Sequence, residues 1–128
     1  MLTEIFILCL LAYLCGSVPF GVLLAKTQNM DIREHGSGNI GATNVARTMG
    51  KKAGLITLAG DVLKGLLVVC AANQWFENTM INALAGLSVF LGHLYSIFLK
   101  FKGGKGVATG LGLLSFAMPF STLCSAGV

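Results

Sequence analysis

Four apolar runs of membrane length, at residues 5–25, 53–75, 80–99 and 107–128, bound what this chain can fold into. A helix needs about 20 apolar residues to cross the hydrocarbon core of a bilayer. Within lipid every backbone N–H and C=O must be satisfied inside its own segment, which favours helices for runs of this length. The charged fraction is 11%, against ~25% in a typical soluble domain. The expectation is therefore a single all-α, polytopic membrane domain over residues 1–128, with about four transmembrane helices. The first run lacks the basic stretch that opens a signal peptide, since Glu4 is its only nearby charge, so it reads as a retained helix. Gly16-Ser17-Val18-Pro19 interrupts it, and Pro19 should bend or break the helix there.

The charges that remain are concentrated. Lys26, Arg33, Arg47, Lys51 and Lys52 lie in a polar segment at residues 26–52, and Lys100, Lys102 and Lys105 in a second at 100–106. The connection at 74–79 has Glu77 and no Lys or Arg. Two spans separate the basic segments, so both fall on one side, and the positive-inside rule makes that side the cytosol and leaves both termini outside. A net charge of +4 gathered in two short loops suits phosphate-bearing ligands and lipid headgroups. With no basic domain outside the membrane, nucleic acid is not an expected partner.

Gly36-Ser37-Gly38-Asn39-Ile40-Gly41-Ala42-Thr43-Asn44-Val45-Ala46-Arg47 dominates the first polar segment. Glycine-punctuated turns can aim successive N–H groups at one point and so form a concavity for an anion. Ser37, Asn39, Thr43 and Asn44 add short polar groups, and Arg47 adds a planar charged fork matched to phosphate. If a helix opens near Thr43 and Asn44, Arg47 shares their face and the free N–H groups of the first turn point at the same anion. The stretch also contains Gly36-x-Gly38-x-x-Gly41, the spacing of a dinucleotide-binding turn, but residues 31–35 ahead of it are no strand and its flanks are membrane-length runs, so that reading is rejected. The second segment, Lys100-Phe101-Lys102-Gly103-Gly104-Lys105-Gly106-Val107-Ala108-Thr109, again resembles a phosphate cradle. It is not a nucleotide-binding P-loop, because Leu99 occupies the first glycine position and Gly106 follows Lys105 in place of Ser or Thr.

Asp61 and Lys64 lie inside the second apolar run, three residues apart and hence on one helical face. Charges at such depth face the bundle interior or water, and this pair is expected to orient the polar loops from behind. His93 sits about two turns before the second basic segment. Neither His35 nor His93 has a cluster of ligands near it, so no metal and no cofactor are expected. Cys9, Cys15, Cys70 and Cys124 fall in apolar runs without a C-x-x-C pair and read as small hydrophobes.

With these motifs in place, the chain resembles the bacterial acyl-phosphate:glycerol-3-phosphate acyltransferases of the cytoplasmic membrane. Gly16-Ser17-Val18-Pro19-Phe20-Gly21 is similar to that family's first-helix signature, residues 36–44 with Arg47 to its first motif, Asp61-Val62-Leu63-Lys64-Gly65 to a further family stretch, and Gly92-His93 through Thr109 to its second motif. Ser96 stands where the family usually has proline, a change expected to matter little. The family also has a third motif, Arg-His followed by Asn, which nothing in this chain matches, so the resemblance implies correspondence to the N-terminal part of such an enzyme.

The reaction implied is acyl transfer from acyl phosphate to the sn-1 hydroxyl of glycerol 3-phosphate, giving lysophosphatidic acid and phosphate. Ser37, Arg47 and Lys105 are the expected catalytic residues. Gly38, Asn39, Gly41, Thr43, Asn44, Lys102, Gly103 and Gly104 are expected to bind substrate, with Asp61, Lys64 and His93 behind them. The proton acceptor for the attacking hydroxyl is left among the substrate phosphate, His35, His93 and the histidine of the third motif. The alternative is a non-catalytic membrane protein that binds phosphorylated ligands, an inactive homologue, or a small transporter subunit.

Overall fold

The computed structural model describes residues 1–117, and every regular element among them is helical. The helices are α1 (Leu2–Ser17), α2 (Phe20–Lys26), α3 (Ala42–Met49), α4 (Lys51–Phe76), α5 (Thr79–Leu94) and α6 (Val107–Ala117), with short 3-10 turns at Ile32–Glu34 and Ile97–Leu99. The expected span at 107–128 continues outside the described residues, as does Cys124.

Helix α4 has 26 residues and is therefore about 39 Å long, more than the hydrocarbon core of a bilayer. It starts two residues before the apolar run and ends one after it. Asn78 then starts α5, its Oδ1 accepting from the N–H groups of Met80 at 2.9 Å and Ile81 at 3.1 Å. Helices α1 and α2 are bent by 42° to one another across the break at Val18 and Pro19, as the proline predicts. By length and apolar composition, α4 and Thr79–Leu99 can each cross a membrane, and the α1–α2 pair makes a third candidate.

The third apolar run does not stay helical to its end. The α-helix stops at Leu94, and the chain passes through Tyr95 and Ser96 into the 3-10 turn. The carbonyls left open at the end of α5 are taken by the second glycine-rich segment: Gly103 N–H donates to Leu94 O at 2.9 Å and Gly104 N–H to His93 O at 3.1 Å. Ser96 also has a place in the break. It is buried, and its hydroxyl donates to Ser17 O at 2.5 Å, joining the end of α5 to the end of α1.

Two seams depend on close backbone approach, as expected where helices pack without a hydrophobic driving force between them. Between α1 and α5, a Cβ on Gly92 would lie 3.0 Å from Ser17 N, and one on Gly16 would lie 2.9 Å from Val89 Cα. Between α4 and α6, a Cβ on Gly65 would lie 2.6 Å from Thr109 O. A separate apolar cluster of Val22, Ala25, Ile32, Ile40, Val45 and Leu99 packs α2, α3 and both 3-10 turns together beneath the first glycine-rich loop. That cluster gives the polar segment a fixed floor. The segment at 26–52 is thus a folded cap on the helices.

Candidate functional site

The loop leading into α3 is built from its own side chains. Asp31 opens the 3-10 turn: its Oδ1 accepts from Arg33 N–H at 3.0 Å, and its carboxylate takes a two-pronged bond from the guanidinium, at 2.9 Å from Nε and 3.0 Å from Nη2. The Arg33 side chain holds the Asp31 carboxyl below its ordinary value. Positive φ at Gly36 (55°) and Gly38 (78°) then turns the chain back over α3. Asn44 ties the turn together. Its Oδ1 accepts from Ser37 N–H at 3.0 Å, and its Nδ2 donates to His35 O and to Asn39 O, each at 2.9 Å. Asn44 is 2% exposed, so these bonds are shielded from water.

Helix α3 begins at Ala42, one residue before the position the sequence suggests. No side chain caps it, and its first N–H groups have no acceptor within the helix. Gly41, Ala42, Thr43 and Asn44 line a cavity of about 380 Å³. Ser37, Asn39 and Arg47 line the same cavity, and so do Asp61 of α4, His93 of α5, and Lys105 with Gly106 from the second glycine-rich segment. Residues separated by up to seventy positions in sequence therefore meet where a helix start, a guanidinium and an ammonium can act on one anion. Arg47 and Lys105 are both exposed and free to reach into it.

Other expected contacts are placed differently. Lys102, Gly103, Gly104 and Gly38 do not line the cavity. The 100–106 segment is no open cradle, because the N–H groups of Lys102, Gly103 and Gly104 donate to Leu99 O, Leu94 O and His93 O. The end of α5 needs those donors, which leaves Lys105 and Gly106 as the members of the segment that face the cavity. Asn44 lines the cavity wall, but its side chain is committed to holding the loop.

Behind the cavity, Lys64 and Asp61 form the expected pair, Nζ to Oδ1 at 3.1 Å, with both side chains buried. The sequence did not reveal the rest of this network. Lys64 Nζ also donates to Val18 O at 3.1 Å, a carbonyl released by the α1–α2 break, and lies 2.8 Å from His93 Nδ1. Thr109 donates to Asp61 O at 3.1 Å and so fastens α6 to α4 at the same level. His35 is exposed, with Nδ1 2.8 Å from Asp31 O, and does not line the cavity. Among the described residues no group of three or more His, Cys, Asp or Glu is arranged to hold a metal ion.

The family profile described as glycerol-3-phosphate acyltransferase matches residues 6–128. The chain is 56% identical over 123 residues to a glycerol-3-phosphate acyltransferase of Geobacter metallireducens, covering 96% of this chain and 63% of the relative. It is 50% identical over 127 residues to one of Geotalea daltonii, covering 99% of this chain and 66% of that protein. It thus spans just under two thirds of these relatives' length. A crystal structure of PlsY, an integral membrane glycerol 3-phosphate acyltransferase, in its glycerol 3-phosphate form superposes with a TM-score of 0.92 at 43% identity, over 98% of this chain and 63% of that one. The lysophosphatidic acid form gives 0.89 at 42% identity.

Proposed function

This chain belongs to the glycerol-3-phosphate acyltransferase family, and on that premise we propose that its cavity transfers a fatty acyl group from acyl phosphate to glycerol 3-phosphate. The observation that supports the reading is the meeting of Arg47, Lys105 and the start of α3 on one cavity beside long apolar helices. Both substrates have a phosphate head, and one has an acyl tail that can lie against the helices. The relatives of that name, and the glycerol 3-phosphate and lysophosphatidic acid forms of PlsY, support the same substrate and product.

In this reaction the sn-1 hydroxyl oxygen attacks the acyl carbonyl carbon. The carbon–oxygen bond to phosphate breaks, inorganic phosphate leaves, and the hydroxyl proton passes to a phosphate oxygen. Acyl phosphate is already activated, so no covalent nucleophile is required. Positioning and charge neutralisation are the protein's contribution. The free N–H groups of α3, with Ser37, Asn39 and Thr43, hold one phosphate and the tetrahedral oxyanion. Arg47 and Lys105 neutralise the glycerol phosphate and the departing phosphate. By the positive-inside rule the cavity opens to the cytosol, in a bacterial inner membrane, with the N-terminus outside.

The test is acyl transfer by the protein in lipid vesicles, followed as lysophosphatidic acid and phosphate formed from acyl phosphate and glycerol 3-phosphate. Arg47→Ala and Lys105→Ala should each cost about 1.5–3 kcal/mol of transition-state or substrate binding, the worth of a hydrogen bond to a charged group. Product formation that neither change alters refutes the site. Binding of glycerol 3-phosphate with no product from the parent chain establishes the alternative, a membrane protein that binds phosphorylated ligands without acyl transfer.

A further inference from the structure

We propose that Lys64 is a positioning residue, one that holds His93 in the tautomer carrying its proton on Nε2 and so makes His93 a hydrogen-bond donor to phosphate oxygens in the cavity, an inference that rests on the acyl-transfer reading only for the identity of the ligand. An ammonium has three N–H donors and no acceptor. Lys64 Nζ has three acceptors around it: Val18 O at 3.1 Å, Asp61 Oδ1 at 3.1 Å and His93 Nδ1 at 2.8 Å. The Asp61 carboxylate supplies the counter-charge that a buried ammonium requires. All three donors are used, and the third meets the ring nitrogen. A neutral imidazole that accepts at Nδ1 bears its proton at Nε2.

The other side of the ring is open. Among the described residues His93 Nε2 has no hydrogen-bond partner, yet it is not fully enclosed, since the one fully enclosed side-chain nitrogen or oxygen without a partner there is Asn82 Oδ1. His93 is 4% exposed and lines the cavity, and with Nδ1 turned to Lys64 we infer that Nε2 is the ring nitrogen directed there. Gly104 keeps that opening clear, since a Cβ at this position would lie 2.7 Å from Nε2. Gly104 does not have positive φ, so the requirement there is for space and not for an unusual backbone. The helix break at Val18 and Pro19 gains a chemical role from the same network, because it releases the carbonyl that completes the ammonium's shell. His93 with Nδ1 occupied and Nε2 protonated does not accept the proton of the attacking hydroxyl. That proton goes to a phosphate oxygen, and His93 donates to the phosphate.

Ring-nitrogen NMR on the full chain, labelled with 15N-histidine in lipid nanodiscs, tests this directly. The chain has 2 histidines, and His35→Gln identifies the His93 signals. Expected are a protonated Nε2, an unprotonated Nδ1, and a shift of the Nε2–H resonance on adding sn-glycerol 3-phosphate or inorganic phosphate. Lys64→Met should yield a mixture of tautomers. Gly104→Ala should keep the tautomer but weaken the phosphate response by roughly ten- to a hundredfold, the loss of one hydrogen bond to a charged group. A proton on Nδ1 in the parent chain, or an Nε2 signal that neither anion moves at saturation, overturns the proposal. If Lys64→Met does not fold, the parent spectrum and Gly104→Ala decide. If acyl transfer is absent while these signals hold, the donor role stands and the acyl-transfer reading falls.

Discussion

Replacing Asn44 by aspartate keeps the shape of the side chain and reverses one of its two ends. Oδ1 still accepts from Ser37 N–H at 3.0 Å. The amide nitrogen, which donates to His35 O and Asn39 O at 2.9 Å each, becomes an oxygen facing two carbonyl oxygens. Two hydrogen bonds worth about 1 kcal/mol each are lost, and leaving two carbonyls unpaired against a buried charge adds at least as much again. The total is about 4 kcal/mol or more of local order, on the order of a thousandfold in the open population of the loop at 1.4 kcal/mol per decade. Hydrogen–deuterium exchange of residues 35–41 reads it directly, and binding of glycerol 3-phosphate reads its consequence, because Ser37, Asn39 and Gly41 line the cavity. Asn44→Asp should accelerate exchange in that segment by roughly a thousandfold and weaken binding, while exchange in the middle of α4 stays as it was. Unchanged exchange at 35–41 with unchanged affinity refutes the claim that Asn44 holds the loop in its binding form.

Ser96→Pro should be accepted. Ser96 has φ −60° and its N–H makes no backbone hydrogen bond, so loss of the hydroxyl's bond to Ser17 O, about 1 kcal/mol, is offset by a stiffer unfolded chain, leaving thermal stability within about 1 kcal/mol. Asp31 gives a pH dependence of defined sign. Its folded carboxyl lies below the ordinary value of 3.8, so its contribution to the loop is present above that pH and is lost as pH falls through the lower folded value. The protection of residues 31–38, taken relative to the intrinsic exchange rate at each pH, should therefore fall in acid, and Asp31→Asn should remove that pH dependence.

The broad fold and much of the site were legible because each rests on local chemistry. Apolar length marked α4 and the α1–α2 pair, Pro19 marked the 42° bend, and spacing marked the Asp61–Lys64 pair. The early end of α5 was not legible, because hydropathy continues unchanged to Leu99 and the donors that end the helix, Gly103 and Gly104, come from beyond it. Those same bonds remove Gly103 and Gly104 from the phosphate contacts their composition suggests. The full role of Lys64 was hidden for a similar reason: Val18 and His93 lie 46 and 29 residues away. Asn44 reads equally well as a ligand contact or a brace, and only its partners at Ile32, His35, Ser37 and Asn39 show that it is the brace.

The account depends on two distant glycine-rich segments forming one anion site on one membrane face. Single cysteines at Ser37 and Lys105, in a background without the native cysteines, test that with an impermeant thiol reagent applied to either side of oriented vesicles. Both positions should react from the same side, and glycerol 3-phosphate should slow both. Reaction from opposite sides would contradict it.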